Sequence, residues 1–516
     1  MFKDKILELT RSFILPFVGI ILAWILVVPP FEFPDEQAHL GTISYLSTEK
    51  RLPGYHEPDM TIEMAQVQKL LGVFRNSEGQ NRYTYHPEYR PEYTNTFIGK
   101  HEPEIIALNT RENRTTYTNI EEAARYPALY YLYGSFFWKL SNGSLLTRLF
   151  VVRLGSLALY GLMAYATYKI GLLLFSNRKM ALTLASITLF QPMMSFVSAG
   201  ISSDNLHNLL FMYAIYQGLL VIKEGISIRR ILLLVLTLSA DLYTKPQGFI
   251  MIPVVVTALV FRVIKERRYK LLGSIFVLIA LTFFLTWGQV EKYKGFLNVE
   301  NSYGASLTEY LRFSVNKLVA QNVVWYWGVF KWLGVVLSPI YWRTANRVVL
   351  LSLLGLFVYL YKRVKNKAVV TPPLYVIYLL CASAIYAGVI FWFDWQYVKG
   401  WGFSLGVQAR YFFPTIVAHM ALLMIGLMSL GPNKTSRLWI QRFIFLLFLW
   451  LQLGGIWRVI GIYYDTSSVG VLLTQISQYK PMLAKGLWWS LWGLIYLLSL
   501  SRISHLVLTN RSLKKK

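Results

Sequence analysis

The sequence predicts an all-α polytopic membrane protein of about twelve transmembrane helices. Three observations predict it. Of 516 residues, 55% are hydrophobic and only 15% charged, where a soluble domain carries about a quarter charged residues. Apolar runs of membrane-crossing length recur along the chain with helical period, unlike the short alternating segments of a transmembrane β-barrel. Short loops rich in Lys and Arg separate the runs, the pattern of cytoplasmic connections.

Taken in order, the expected spans are 11–30, 148–173, 180–200, 205–223, 230–243, 247–263, 271–290, 347–361, 372–391, 409–428, 441–459 and 484–503. The first opens with Lys3, Lys5 and Arg11 and has no small-residue cleavage site after it, so it reads as an uncleaved anchor. The basic loops 176–179, 223–230, 262–270, 361–367 and 433–442, together with the tail "RSLKKK", all fall on one side at this span count. Both termini are then cytoplasmic. The segment "ARYPALYYLYGSFFWKL" (124–140) is apolar and aromatic but short, and opens with Tyr126-Pro127. It is expected to be an interfacial or re-entrant helix on the outer face. Residues 31–147 form one long, partly helical extracytoplasmic loop, too long for a mere connector. A second outer segment, 291–346, contains "NVVWYWGVFKWLGVVLSPIYW", whose aromatic density suggests either a helix lying in the interface or a plain packing segment. Residues 1–430 read as the catalytic module and 431–516 as additional C-terminal membrane helices.

The net charge of +26 is concentrated in short loops, and no nucleic-acid module accompanies it, so nucleic acid is not the expected partner. The single cysteine, Cys381, lies in an apolar run and forms no intrachain disulfide. His56, His86 and His101 show no metal-ligand spacing.

Ionisable residues recur at the junctions of apolar runs and converge on the outer face: Asp35 and Glu36 in "FPDEQAH", Asp204 in "SAGISSDNLHNLL", Lys245 in "DLYTKPQGF", Asp394 in "FWFDWQ" and Arg410 in "GVQARYFFP". Charges at membrane depth are costly and usually functional. Each also has an ordinary reading. Pro34-Asp35-Glu36 suits a helix start, Asp204 could cap a helix, Lys245 could snorkel, Arg410 could anchor its helix, and Asp394 fits a structural role. His39 suits a local hydrogen-bond partner better than a metal ligand. In combination, a carboxylate could take a proton from an acceptor hydroxyl, while a guanidinium and an ammonium could hold a phosphate as a leaving group.

These motifs, with "RYPALYYLYG", occur in an order that resembles the polyprenyl-phosphate-sugar-dependent glycosyltransferases of the GT-C superfamily, which includes protein O-mannosyltransferases and lipid A aminoarabinose transferases. The chain most resembles the bacterial membrane proteins of domain-of-unknown-function family 2142, whose signatures are similar to "PDE..H" and "GRYF.P", although Ala409 replaces the glycine of the second. The resemblance implies a GT-C-like fold and an inverting hexosyl- or pentosyltransferase in the cytoplasmic membrane. It would move a monosaccharide from a polyprenyl-phosphate carrier to an extracytoplasmic glycan, glycolipid or protein. It further implies Asp35 as general base, Glu36 as its acidic neighbour, and Lys245 and Arg410 on the carrier phosphate. His39, Arg125, Tyr126, Tyr130, Asp204, Gln408 and Tyr411 would line the cavity. Asp35, Glu36 and Asp204 permit a divalent cation, Mg or Mn, without demanding one. Two other classes stay open at this point: a transporter or flippase of a lipid-linked saccharide, which would place its charges near the midplane on broken helices, and a non-catalytic envelope scaffold.

Overall fold

The computed structural model describes residues 13–54, 57, 59–74, 101–108, 114–116, 126–269, 272–293, 299–331 and 333–509. Lys3, Lys5, Arg11, His56, His86, Arg125 and the tail from 510 lie outside the described residues.

The chain is an all-α bundle. Helix α1 (Leu15–Val27) is followed by α2 (Glu36–Glu49), α3 (Ile62–Leu70), α4 (Glu102–Ala107) and α5 (Leu129–Lys139), and a short antiparallel pair joins β1 (Met60–Thr61) to β2 (Arg114–Thr116). The long helices then begin: α6 (Leu145–Phe175), α7 (Arg178–Leu189), α8 (Pro192–Ala199), α9 (Ser203–Glu224), α10 (Ile228–Leu242) and α11 (Met251–Glu266), the last preceded by a 3₁₀ turn, Pro246–Ile250. Next come α12 (Leu272–Tyr293), α13 (Leu307–Lys317), α14 (Pro339–Val364) and α15 (Pro373–Trp401). After a 3₁₀ helix (Ala409–Thr415) follow α16 (Ile416–Leu430), α17 (Lys434–Tyr463), α18 (Val469–Ile476) and α19 (Trp488–Leu508).

Among the described residues, nine helices are long and apolar enough to cross a membrane, or ten if a bent pair counts as one span. Nine of the twelve expected spans are thus met by single long apolar helices, and the other three take a different form. The span expected at 11–30 is described as the 13-residue α1, and that at 230–243 is the 15-residue α10. The span expected at 180–200 is α7 and α8, bent by 67° at Phe190-Gln191. Pro192, in the first turn of α8, cannot donate to the α7 ladder, and the Gln191 side chain caps α8 instead, accepting from the Met194 amide. The 11-residue α5 is too short to span, in keeping with the reading of 124–140 as a non-spanning helix.

The aromatic segment 322–342 is not the interfacial helix its composition suggests. It folds as one helical turn, then an antiparallel hairpin of β3 (Val329–Phe330) and β4 (Val335–Val336), before α14 opens at Pro339. Gly328 is the reason at one end, since a Cβ there would sit 2.9 Å from the Phe330 ring. An amphipathic helix does exist in this region, but it is α13, with Leu307, Leu311, Val315 and Val319 exposed at four-residue spacing across it and the π-turn that follows.

The core sits where α6, α9 and α16 pass through the bundle, and α12, α14 and α19 form its periphery. Helices α14 and α16 touch backbone to backbone: a Cβ on Gly355 would lie 2.0 Å from the Gly426 carbonyl oxygen. The Ser352 hydroxyl donates across this contact to the Leu423 carbonyl at 2.9 Å. Small residues permit such approach where apolar burial alone cannot drive helices together.

Candidate active site

The first functional segment is the loop between α1 and α2. Pro29-Pro30 stops α1, which leaves carbonyls at the helix end without intrahelical donors. Arg153, in the middle of α6, fills that role, donating to the carbonyls of Ile25 (3.3 Å), Val28 (2.8 Å) and Pro29 (2.7 Å). The same guanidinium lies between the rings of Phe33 and Phe150, at 4.6 and 4.9 Å. Its Nε and Nη2 each donate to one oxygen of Glu36 at 2.7 Å, and both side chains are fully buried. This revises the expectation for Glu36. A carboxylate with both oxygens engaged and no exposed surface is an anchor for the loop, not a group that can meet an acceptor. Arg153 was absent from the sequence-based site. An arginine inside an expected span was the available signal.

Asp35 is placed differently. It is the N-cap residue of α2, held at φ 57° and ψ 14°, and its side chain does not cap the helix. The carboxylate instead accepts from Arg410 Nη2 at 2.7 Å. Its side chain keeps 23% exposure while that of Arg410 keeps 7%, so the pair opens outward on the Asp35 side. Left-handed backbone at a non-glycine residue is costly, and such positions concentrate at functional sites.

Lys245 and Asp204 form a second ion pair. The ordinary reading of Asp204 as a helix cap does not hold, because Ser202 caps α9 by accepting from the Asp204 amide at 3.2 Å. That frees the Asp204 carboxylate for Lys245, whose ammonium also lies 5.4 Å from the centre of the Tyr126 ring.

His39 joins the two pairs. Nδ1 lies 3.0 Å from the Tyr131 hydroxyl and Nε2 lies 3.4 Å from the Ser202 hydroxyl. The imidazole stacks on Tyr131, with Tyr126 and Tyr130 beside it at 6.2 and 6.3 Å. Helix α5, carrying Tyr130 and Tyr131, packs on α2 where Gly134 admits Ile43, and Ser135 donates to the Ile43 carbonyl at 3.3 Å. Burial drives the His39 pKa down to about 4, outweighing the opposing pull of Asp35 and Asp204, while Lys245 and Arg410 push it the same way. All four charges thus act on one neutral imidazole. Tyr130 is pushed up by its burial and stays a phenol.

Of the remaining expected residues, Tyr411 lies beside Arg410, whose guanidinium sits 5.6 Å from its ring centre. Gln408 leads into the 3₁₀ helix with extended backbone, and its buried Oε1 has no hydrogen-bond partner. Arg410 Nε is likewise buried and unpartnered. Asp394 takes the structural role expected of it. It accepts from Tyr310 (3.0 Å), from Ser404 (3.0 and 2.9 Å) and from the Leu405 amide (2.9 Å), pinning the loop that leads to Arg410.

The arrangement does not fit a divalent cation. Asp35, Glu36 and Asp204 are each engaged by a different cation. Among the described residues no three His, Cys, Asp or Glu side chains gather as a ligand set.

An apolar cavity of about 390 Å³ adjoins the site, lined by Asn322, Tyr326, Leu353, Ala409, Phe412 and His419 among others. The three-residue period of the 3₁₀ helix explains the partition. It places Ala409 and Phe412 on the cavity face and turns Arg410 toward Asp35.

Comparison with known proteins places this geometry in context. No curated protein matches the chain. Among solved structures, ArnT from Cupriavidus metallidurans bound to undecaprenyl phosphate is similar at 12% identity and a TM-score of 0.42, over 95% of this chain and 76% of that one. The archaeal oligosaccharyltransferase AglB from Archaeoglobus fulgidus, in complex with an inhibitory peptide and a dolichol-phosphate, is similar at 13% identity and a TM-score of 0.40, over 89% of this chain and 56% of that one. A sequence profile described as "Predicted membrane protein (DUF2142)" matches residues 17–419, which is most of the chain. The chain therefore belongs to the DUF2142 family of multi-pass membrane proteins.

Proposed function

We propose that the protein is an inverting membrane glycosyltransferase that moves a monosaccharide from a polyprenyl-phosphate carrier to an extracytoplasmic acceptor. The observation that carries this reading is the pair of parked cations, Arg410 on Asp35 and Lys245 on Asp204, around the neutral His39. A phosphate entering between them would draw the guanidinium and the ammonium to itself. That transfer releases the Asp35 carboxylate to accept a proton from an acceptor hydroxyl. The acceptor oxygen then bonds to the anomeric carbon as the bond from that carbon to the phosphate oxygen breaks. The electron pair stays on the phosphate, held by Arg410 and Lys245. Glu36, paired with Arg153, holds the Asp35 loop in register. No step is routed through a metal ion.

Two further features support a lipid carrier on the outer face. The apolar cavity beside Ala409 and Phe412 gives the first part of a polyprenyl chain a place next to Arg410. The site also lies at helix ends opposite the basic loops. Helix α9 starts beside Asp204 and ends at Lys223-Glu224, α10 runs from Arg229-Arg230 to the Lys245 turn, and α16 leads from the Arg410 segment to the 433–442 loop. With those loops cytoplasmic, both termini are inside and the site is outside. Charges clustered at helix ends on one side suit a transferase better than a transporter, whose charges sit on broken helices at mid-depth.

The test uses the full chain in vesicles containing synthetic polyprenyl-phosphate sugars, alongside mass spectrometry of envelope glycans from a deletion strain. Loss of one sugar from the envelope, and loss of transfer with Asp35→Asn and Arg410→Ala, are the expected results. Full transfer by both variants overturns the assignment.

A further inference from the structure

Two residues in the motifs around Asp204 and Lys245 take no part in the chemistry above, yet they face each other beneath it. Helix α9 carries Asp204 and, three residues on, His207. The end of α10 and the turn after it carry Asp241 and, four residues on, Lys245. The spacing of three keeps Asp204 and His207 on one face of α9, and the tight turn after α10 brings Lys245 back beside Asp241. The two segments are therefore joined by two rungs. The outer rung is Lys245–Asp204. The inner rung is His207 Nδ1 to Asp241 Oδ1 at 2.7 Å. Tyr386 of α15 completes the inner rung, its hydroxyl 3.2 Å from His207 Nε2. His207, Asp241 and Tyr386 are all buried.

The backbone ties the inner rung to Lys245 directly. The Asp241 carbonyl accepts from the amides of both Thr244 (2.9 Å) and Lys245 (2.8 Å). Gly248 closes over the same peptide, where a Cβ would lie 2.8 Å from the Asp241 carbonyl carbon. The residue that supplies the inner carboxylate thus also fixes where the Lys245 side chain begins.

We propose that His207 and Asp241 are positioning residues for Lys245. They hold the turn in register against α9 while the ammonium leaves Asp204 for the donor phosphate and returns. The proposal rests on the reading that Lys245 meets that phosphate. Its physical basis is that a lysine is a point charge on a flexible four-carbon stem and is aimed only by its backbone. When the outer rung opens, the inner rung is the remaining polar tie between these two stretches that the geometry provides. The imidazole meets the Asp241 carboxylate through Nδ1 and the Tyr386 hydroxyl through Nε2, so both ring nitrogens are engaged.

The test measures binding of undecaprenyl phosphate to the full chain in lipid nanodiscs, using Asp241→Asn, Lys245→Gln and the double variant. Asp241→Asn is expected to weaken binding about tenfold in the unaltered background and less than about twofold in the Lys245→Gln background, a coupling that a purely structural role would not show. His207→Asn keeps a donor near the Nδ1 position and should bind within about threefold of the unaltered protein, whereas His207→Leu should fall about tenfold. Equal weakening by Asp241→Asn in both backgrounds, no weakening at all, or His207→Leu matching His207→Asn overturns the positioning role. Should Asp241→Asn not fold, the two His207 variants still decide. Unchanged binding by Lys245→Gln overturns the phosphate assignment itself, and the positioning role with it.

Discussion

The Asp35 carboxylate accepts a hydrogen bond from Arg410 Nη2 at 2.7 Å, across 375 residues of sequence, while standing at a helix N-cap that it does not cap. The proposed mechanism gives the two partners separate roles. Separate consequences of the two partners follow.

Asp35→Asn should leave undecaprenyl phosphate binding within about threefold of the unaltered protein, because the phosphate then takes the guanidinium, but should remove transfer. Arg410→Lys should lose both, binding by about tenfold or more, since a lysine cannot reproduce the planar fork. Binding and single-turnover transfer measured on the same preparations separate the two roles.

Glu36→Gln should behave unlike Asp35→Asn. It leaves the Arg153 guanidinium buried without its counter-charge, and breaking one side of a buried pair costs about 3–5 kcal/mol. A clear fall in thermal stability and in monodisperse yield is expected for Glu36→Gln and not for Asp35→Asn. Scanning fluorimetry of the two variants side by side checks this.

His39 gives a pH signature. Its pKa is held down to about 4 by burial, against about 6.5 in the unfolded chain. Between these values the unfolded state binds more protons than the folded one, so stability rises with pH across this window. The contribution is fully present above about pH 6.5 and is lost as pH falls toward 4, up to about 3 kcal/mol. His39→Gln should flatten this part of the stability profile. Melting curves at pH 7.5 and pH 5 for both proteins test it.

Asp394→Ala should free the loop before Arg410 by removing the shared acceptor of Tyr310, Ser404 and the Leu405 amide. Ser404 and the Leu405 amide lose their acceptor, while Tyr310 keeps the Phe391 carbonyl. Faster hydrogen exchange confined to 402–408 is expected, with weaker transfer. Unchanged exchange there would show that the loop is held by other contacts.

Some of this was legible in the sequence because it depends on local sums. Hydropathy over a window marks a span whatever surrounds it, and nine of the expected spans are present as long apolar helices. Charge in short loops sets orientation through a similarly local rule. Asp35, Asp204, Lys245 and Arg410 stood out because a charge beside an apolar run is costly wherever it ends up.

The tertiary structure decided which charge meets which. Asp35 and Glu36 are neighbours with the same chemistry, yet the left-handed backbone at Asp35 sends it to Arg410 while Glu36 meets Arg153. Composition gave no hint that 322–342 would fold into a hairpin, because aromatic density records affinity for the interface and not backbone shape. Nor did it place His207 against Asp241, since that contact needs α9 and the end of α10 packed side by side. Which residues are expensive to bury is a property of each residue, and the sequence by itself determined it. Which partner offsets that cost is a property of packing between segments hundreds of residues apart, and only the fold could decide it.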